Sequence, residues 1–188
     1  MERIEEIYRE SLALFVERGY DNTPMSLIAK ELKLSKAGIY YYFDSKEHLL
    51  FQIHKHSLET ELIPILEKAE NEPDPDKALR LFIGEYTRLL GRDPSPGVLI
   101  HEAKRLEPDH YREIRQVWRR AFTFVRNAIS ELEKAGKCRK SLNKTFAAFA
   151  AIGMCSWIYT WYDYSHTEAI DQLADTFVQL FMNGILES

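Results

Sequence analysis

Along the first turns of the chain, Ile4, Ile7, Tyr8, Leu12, Leu14 and Phe15 recur at helical spacing, and Gly19 supplies a stop. Thr23 followed by Pro24 predicts an N-cap with proline at the first helical position. Met25, Ile28, Ala29 and Leu32 then form one face of a short second helix. Lys33-Leu34-Ser35 is a tight connection, and Ser35 caps a third helix that ends at Asp44-Ser45. Ser45 in turn caps a fourth. Three short helices, the last two joined by about three residues, describe a helix-turn-helix unit.

The rest of the pattern is long and helical. It predicts one helix over 46–70, bent at Pro64, and a linker at NEPDPD, 71–76. A helix over 77–90 is followed by a break at GRDPSPG, 91–97. A short helix near 98–105 and a long one over 108–135 lead to a turn at 136–141. Two last helices occupy 142–164 and 167–186. With no alternating β-branched stretch, the expected fold is all-α, with about nine helices. Its expected division is a three-helix domain, 1–47, and a larger helical domain, 48–188.

Composition narrows the class. A chain of 188 residues that is 45% hydrophobic and 29% charged can bury a real core. Its two cysteines, Cys138 and Cys155, are far apart and read as free thiols of a reducing cytosol. The start, MERIEEIYRE, is charged from its second residue and is no signal peptide. The uncharged stretch 146–158 is too short to span a bilayer and reads as buried helix. The expectation is a cytoplasmic protein with no membrane partner. A net charge of −4 excludes a globally basic nucleic-acid binder. Lys30, Lys33, Lys36 and Lys46 nevertheless concentrate positive charge around the third helix.

That helix carries Tyr40, Tyr41 and Tyr42 in a row. Successive positions differ by about 100°, so three rings cannot share one core. Ile39 and Phe43 lie together and face inward. Ala37, Gly38 and Tyr41 lie opposite, flanked by Tyr40 and Tyr42. Small residues let a helix start approach a surface closely, and its free N–H groups suit phosphate. The phenols can donate to phosphate, and Tyr41 can lie on a base edge in the major groove. Packing of Tyr40 and Tyr42 against the fourth helix is the competing reading.

These residues carry a family resemblance. Leu14-Phe15, Gly19-Tyr20, Thr23, Ile28-Ala29, Ser35-Lys36, Ile39 to Phe43, and Ser45-Lys46-Glu47 with Leu49 stand at the family's spacing. Residues 7–50 thus resemble the DNA-binding domain of tetracycline-repressor (TetR) regulators. Pro24, Ser26, Leu27 and Lys33 depart from the common pattern, and Lys33 occupies the usual turn glycine, a position suited to positive φ. The resemblance implies operator contacts from Thr23, Met25, Ser26, Lys36, Ala37, Gly38, Tyr40, Tyr41, Tyr42 and Lys46. It also implies a homodimer on double-stranded operator DNA, a small effector in the second domain and, most often, repression.

The second half fits that implication. Ile170, Leu173, Ala174, Phe177, Leu180, Phe181, Gly184 and Ile185 make a wide helical stripe. The preceding helix combines Ala147, Ala148, Ala150, Ala151 and Gly153 with aromatics. An intersubunit four-helix bundle using Phe149, Ile152, Leu173, Phe177, Leu180 and Phe181 is expected, against the alternative of monomer core. GMCSWIYTWY, 153–162, resembles the acyl-coenzyme A-responsive members of the family. Trp157 and Trp161, one turn apart beside Gly153, can line an apolar slot with Trp118 and Phe122. Arg119, Arg120, Arg126, Lys137, Arg139 and Lys140 could meet a nucleotide phosphate. Packing of the tryptophans in the core or the dimer interface, with the basic residues a solvated face, is the equal alternative.

No glycine-rich phosphate loop, nucleophile elbow or zinc-hydrolase signature is present. His54 and His56 fall on different sides of a helix and make a poor metal pair. A ligand-responsive regulator without catalytic residues, cofactor or metal is therefore expected. The alternative is a helical ligand-binding protein or enzyme with an incidental helix-turn-helix.

Overall fold

The computed structural model describes residues 2–139, 142–165 and 169–186. Ten α-helical segments are present among them: α1 Glu2–Arg18, α2 Met25–Glu31, α3 Lys36–Tyr42, α4 Lys46–Ser57, α5 Ile63–Glu70, α6 Pro75–Arg92, α7 Ser95–Glu102, α8 Pro108–Lys134, α9 Lys144–Ser156 and α10 Ile170–Ile185. A π-helical turn, Leu58–Leu62, joins α4 to α5 without a non-helical residue, so these two count as one and the total is nine. The expected bend at Pro64 is thus a π-turn just ahead of it. Proline at the start of α5 has no N–H for the Thr60 carbonyl, and a local change of hydrogen-bond period absorbs the loss.

The chain divides into two compact units, residues 1–57 with 95–114, and residues 58–94 with 115–188. Position 47 falls inside the first unit. Its core holds Ile7, Leu14, Phe15, Ile28, Ile39, Phe43, Leu49, Leu50 and Ile53 with Leu99, Ala103 and Ile114. The sequence dictates the local joints. Gly19, at φ 78°, ends α1 and its N–H donates to the Phe15 carbonyl over 3.0 Å. Ser35 Oγ accepts from the Gly38 N–H over 3.0 Å, and Ser45 Oγ accepts from His48 over 2.9 Å. Thr23 corrects the cap expectation. Its buried hydroxyl turns back to the Gly19 carbonyl just beyond α1, at 2.8 Å, with the Leu14 carbonyl at 3.3 Å, and makes no cap for α2.

In the second unit, α10 lies against α6. Gly91 is required there, because a Cβ would fall 1.8 Å from Cδ1 of Ile170. Arg88 on α6 pairs with Asp171 on α10 at 2.6 Å. Cys138 and Cys155 are buried free thiols, and burial pushes the Cys155 thiol up to about 11. The expected helix over 142–164 is shorter than its pattern. It ends at Ser156, and a 3₁₀ turn, Ile158–Thr160, follows. Thr160 Oγ1 donates to the Trp157 carbonyl over 2.7 Å, and the Trp161 N–H goes to Ile158 instead. The α-helical bond from Trp161 to Trp157 is thereby replaced.

Candidate nucleic-acid interface and ligand cleft

The turn between α2 and α3 fixes how α3 is presented. Lys33 sits at φ 54°. The Leu34 N–H donates to the Ala29 carbonyl over 2.8 Å and the Lys33 N–H to Lys30 over 3.1 Å. This is a Schellman closure with lysine at the left-handed position. Ile39 and Phe43 are buried, so the opposite face of α3 is outward. Tyr41 is 84% exposed, Tyr40, Ala37 and Lys36 are exposed, and Gly38 and Tyr42 are half-buried. Tyr42 meets Tyr41 edge-on, with ring centroids 5.3 Å apart, which props the outward ring. Ser26 is exposed on α2, whereas Met25 and Thr23 are buried.

Lys46 is engaged inside the unit. Its Nζ donates to the Tyr20 carbonyl over 2.8 Å and sits 4.1 Å from the Tyr20 ring centroid. Partial burial lowers its pKa. Arg105 approaches the same ring at 5.2 Å and pairs with Asp21 and Glu102. Burial, followed by the Glu47 charge, pushes the Tyr20 phenol up to about 12. Lys30, Lys33 and Lys36 are exposed cations of this surface.

In the second unit a cleft of about 860 Å³ opens between the end of α5, the start of α6 and the face of α8. Ala69, Ala78, Phe124 and Ala128 supply apolar lining, and Arg119, Arg120 and Thr123 line it from α8. Arg120 grips Glu70 in a bidentate pair, Nε to Oε1 at 3.1 Å and Nη2 to Oε2 at 2.5 Å. Trp118, Phe122, Gly153, Trp157 and Trp161 are not among its lining residues. Trp157 and Trp161 are 63% and 52% exposed, Gly153 is exposed, and Phe122 packs on Phe149 with centroids 4.5 Å apart. Sequence reasoning missed this cleft; the i, i+4 pair Arg119 and Thr123 beside Phe124 and Ala128 was its available signal.

Phe146 and Phe149 on α9 are exposed, Phe149 by 60%, and Leu180 on α10 is 64% exposed. Ile152, Leu173 and Phe177 are half-buried, and Phe181 is buried within the unit. No helix among the described residues is long and apolar enough to cross a membrane.

A capped α2–turn–α3 unit with an outward aromatic and lysines defines a helix-turn-helix protein of the nucleic-acid-binding kind. The family profile described as "Tetracyclin repressor-like, C-terminal domain" matches residues 72–185, and "Bacterial regulatory proteins, tetR family" matches residues 7–53. The chain belongs to the TetR family of bacterial transcriptional regulators. It is 36% identical over 74 residues to the uncharacterized HTH-type transcriptional regulator YuxN of Bacillus subtilis. It is 42% identical over 48 residues to the biofilm operon negative regulator IcaR of Staphylococcus aureus. These matches cover 39% and 26% of this chain, and only 25% and 26% of those curated relatives. Over its length the chain resembles AibR in complex with isovaleryl coenzyme A and operator DNA. Identity is 28%, coverage 95% of this chain and 97% of that one, and the TM-score 0.86.

Proposed function

We propose that the protein is a homodimeric transcriptional repressor that binds operator DNA through α3 and is released by an acyl-coenzyme A thioester. In this reading residues 1–47 carry operator recognition, and residues 48–188 carry effector binding and dimerisation. The observation that supports the DNA role best is Tyr41, an aromatic ring held almost fully in solvent on a helix whose other side is core. Such a ring stays exposed at a cost unless a partner covers it. Lys36, Ala37 and Tyr40 share its surface, and Ser26 is exposed on α2. The likeness to the isovaleryl coenzyme A-bound AibR supports the effector class.

The test is fluorescence anisotropy on an operator fragment recovered by in vitro selection. Tyr41→Ala is expected to cost about 1–3 kcal/mol of affinity and to relax sequence preference. Lys36→Ala should weaken all sequences alike and flatten the salt dependence by about one unit. Parent-like affinity and selectivity in both variants would remove α3 as the reader.

A further inference from the structure

We propose that the cleft beside α8 is the effector site and that it takes an acyl chain joined to a phosphate-bearing head group. This rests on the acyl-thioester reading above and gives it a location. A volume of about 860 Å³ lies in the range of small-molecule sites. The lining stretch of α8, from Gln116 to Glu131, extends about 22 Å at 1.5 Å per residue, enough for an elongated ligand.

The two margins of that helix face differ in chemistry. At about 100° per residue, Phe124 and Ala128 lie about 40° apart and Arg119 and Thr123 lie about 40° apart. Thr123 is about 100°, and Arg119 about 140°, round the helix from Phe124. Phe124 is half-buried and Ala128 buried, and buried Ala69 and Ala78 complete an apolar wall. Alanine methyl groups leave the room that larger side chains would occupy. Arg119 and Thr123 are exposed and form the polar lip.

The carboxylates of the cleft already have partners. Glu70 holds Arg120, Glu72 accepts from the Asp74 N–H over 3.0 Å, and Glu131 pairs with Lys134 at 2.8 Å. Arg119 has no ion pair or hydrogen bond among the described residues. Its guanidinium is thus the cation available to a phosphate-bearing head, with the acyl chain against Phe124 and Ala128.

The experiment is calorimetric titration of the full chain with octanoyl coenzyme A, isovaleryl coenzyme A, free coenzyme A and octanoate, with operator release followed in parallel. One or both thioesters are expected to bind and release operator, with free coenzyme A and octanoate each at least tenfold weaker. Arg119→Ala and Thr123→Trp, both at exposed positions, should each weaken thioester binding at least tenfold. Their operator affinity without thioester should match the parent. Parent-like thioester binding in both variants overturns the cleft assignment and leaves the acyl-thioester reading standing. Equal binding of octanoate overturns the head-group role of Arg119, and equal binding of free coenzyme A overturns the apolar wall. A parent that binds operator but neither thioester ends both the cleft assignment and the effector reading.

Discussion

Lys33 closes α2 in a backbone region where a Cβ meets the following carbonyl, at a cost of about 1–2 kcal/mol. Its side chain is exposed, and the two Schellman bonds depend only on backbone. Glycine would relieve the strain while adding freedom to the unfolded chain, which offsets up to about 1 kcal/mol. Lys33→Gly is therefore expected to stabilise the protein by about 0.5–1 kcal/mol, read as a higher urea midpoint at unchanged slope. A lower midpoint would mean that the lysine side chain contributes something its exposure does not show. The positive φ was legible from the family spacing, and the inward Ile39 and Phe43 from the helical wheel. Lys46 was not legible as a tie. Its acceptor is a backbone carbonyl 26 residues away, on a loop that no local pattern aims at it.

At the scale of the element, α4 carries a titratable group in its buried face. His54 is buried, and desolvation pushes its pKa down from 6.5 to about 4. The folded state therefore holds a neutral ring where the unfolded chain takes a proton. The stabilisation is fully present above about pH 6.5 and is lost as pH falls toward about 4, a difference of about 3 kcal/mol. Thermal melts of the parent should drop more steeply between pH 7 and pH 5 than those of His54→Gln, whatever the variant's stability at pH 7. Parallel slopes would assign the acid sensitivity to other groups. Helix identity was readable throughout from apolar spacing and caps. The end of α9 was not, since no glycine or proline stands between Met154 and Ser165. The stop is made by Thr160 and by burial of Ile158, which leaves Trp157 and Trp161 outside.

For the molecule as a whole, only the α8 wall of the cleft left a trace in the sequence, because its walls come from 69–78 and 116–135 and share no motif. The proposed dimer surface shows in the sequence as a surplus of apolar residues on the last two helices. Leu173, Phe177 and Leu180 follow one another at four and three residues along α10, and Phe146 and Phe149 stand at three along α9. Two helices presenting such stripes in one unit suit a two-fold four-helix bundle. Leu180 gives the cleaner test than Phe181, which is buried within the unit and would unfold it if charged. At 64% exposure in the single chain, Leu180→Arg should leave the fold and its melting temperature close to the parent's. In a dimer the same arginine meets its own copy or an apolar partner without a counter-charge, at a cost of several kcal/mol. Light scattering behind a sizing column at micromolar concentration should then find a folded monomer. Operator affinity should fall too, because a monomer engages one half-site at a time. A folded Leu180→Arg protein that remains dimeric would place the interface away from α10.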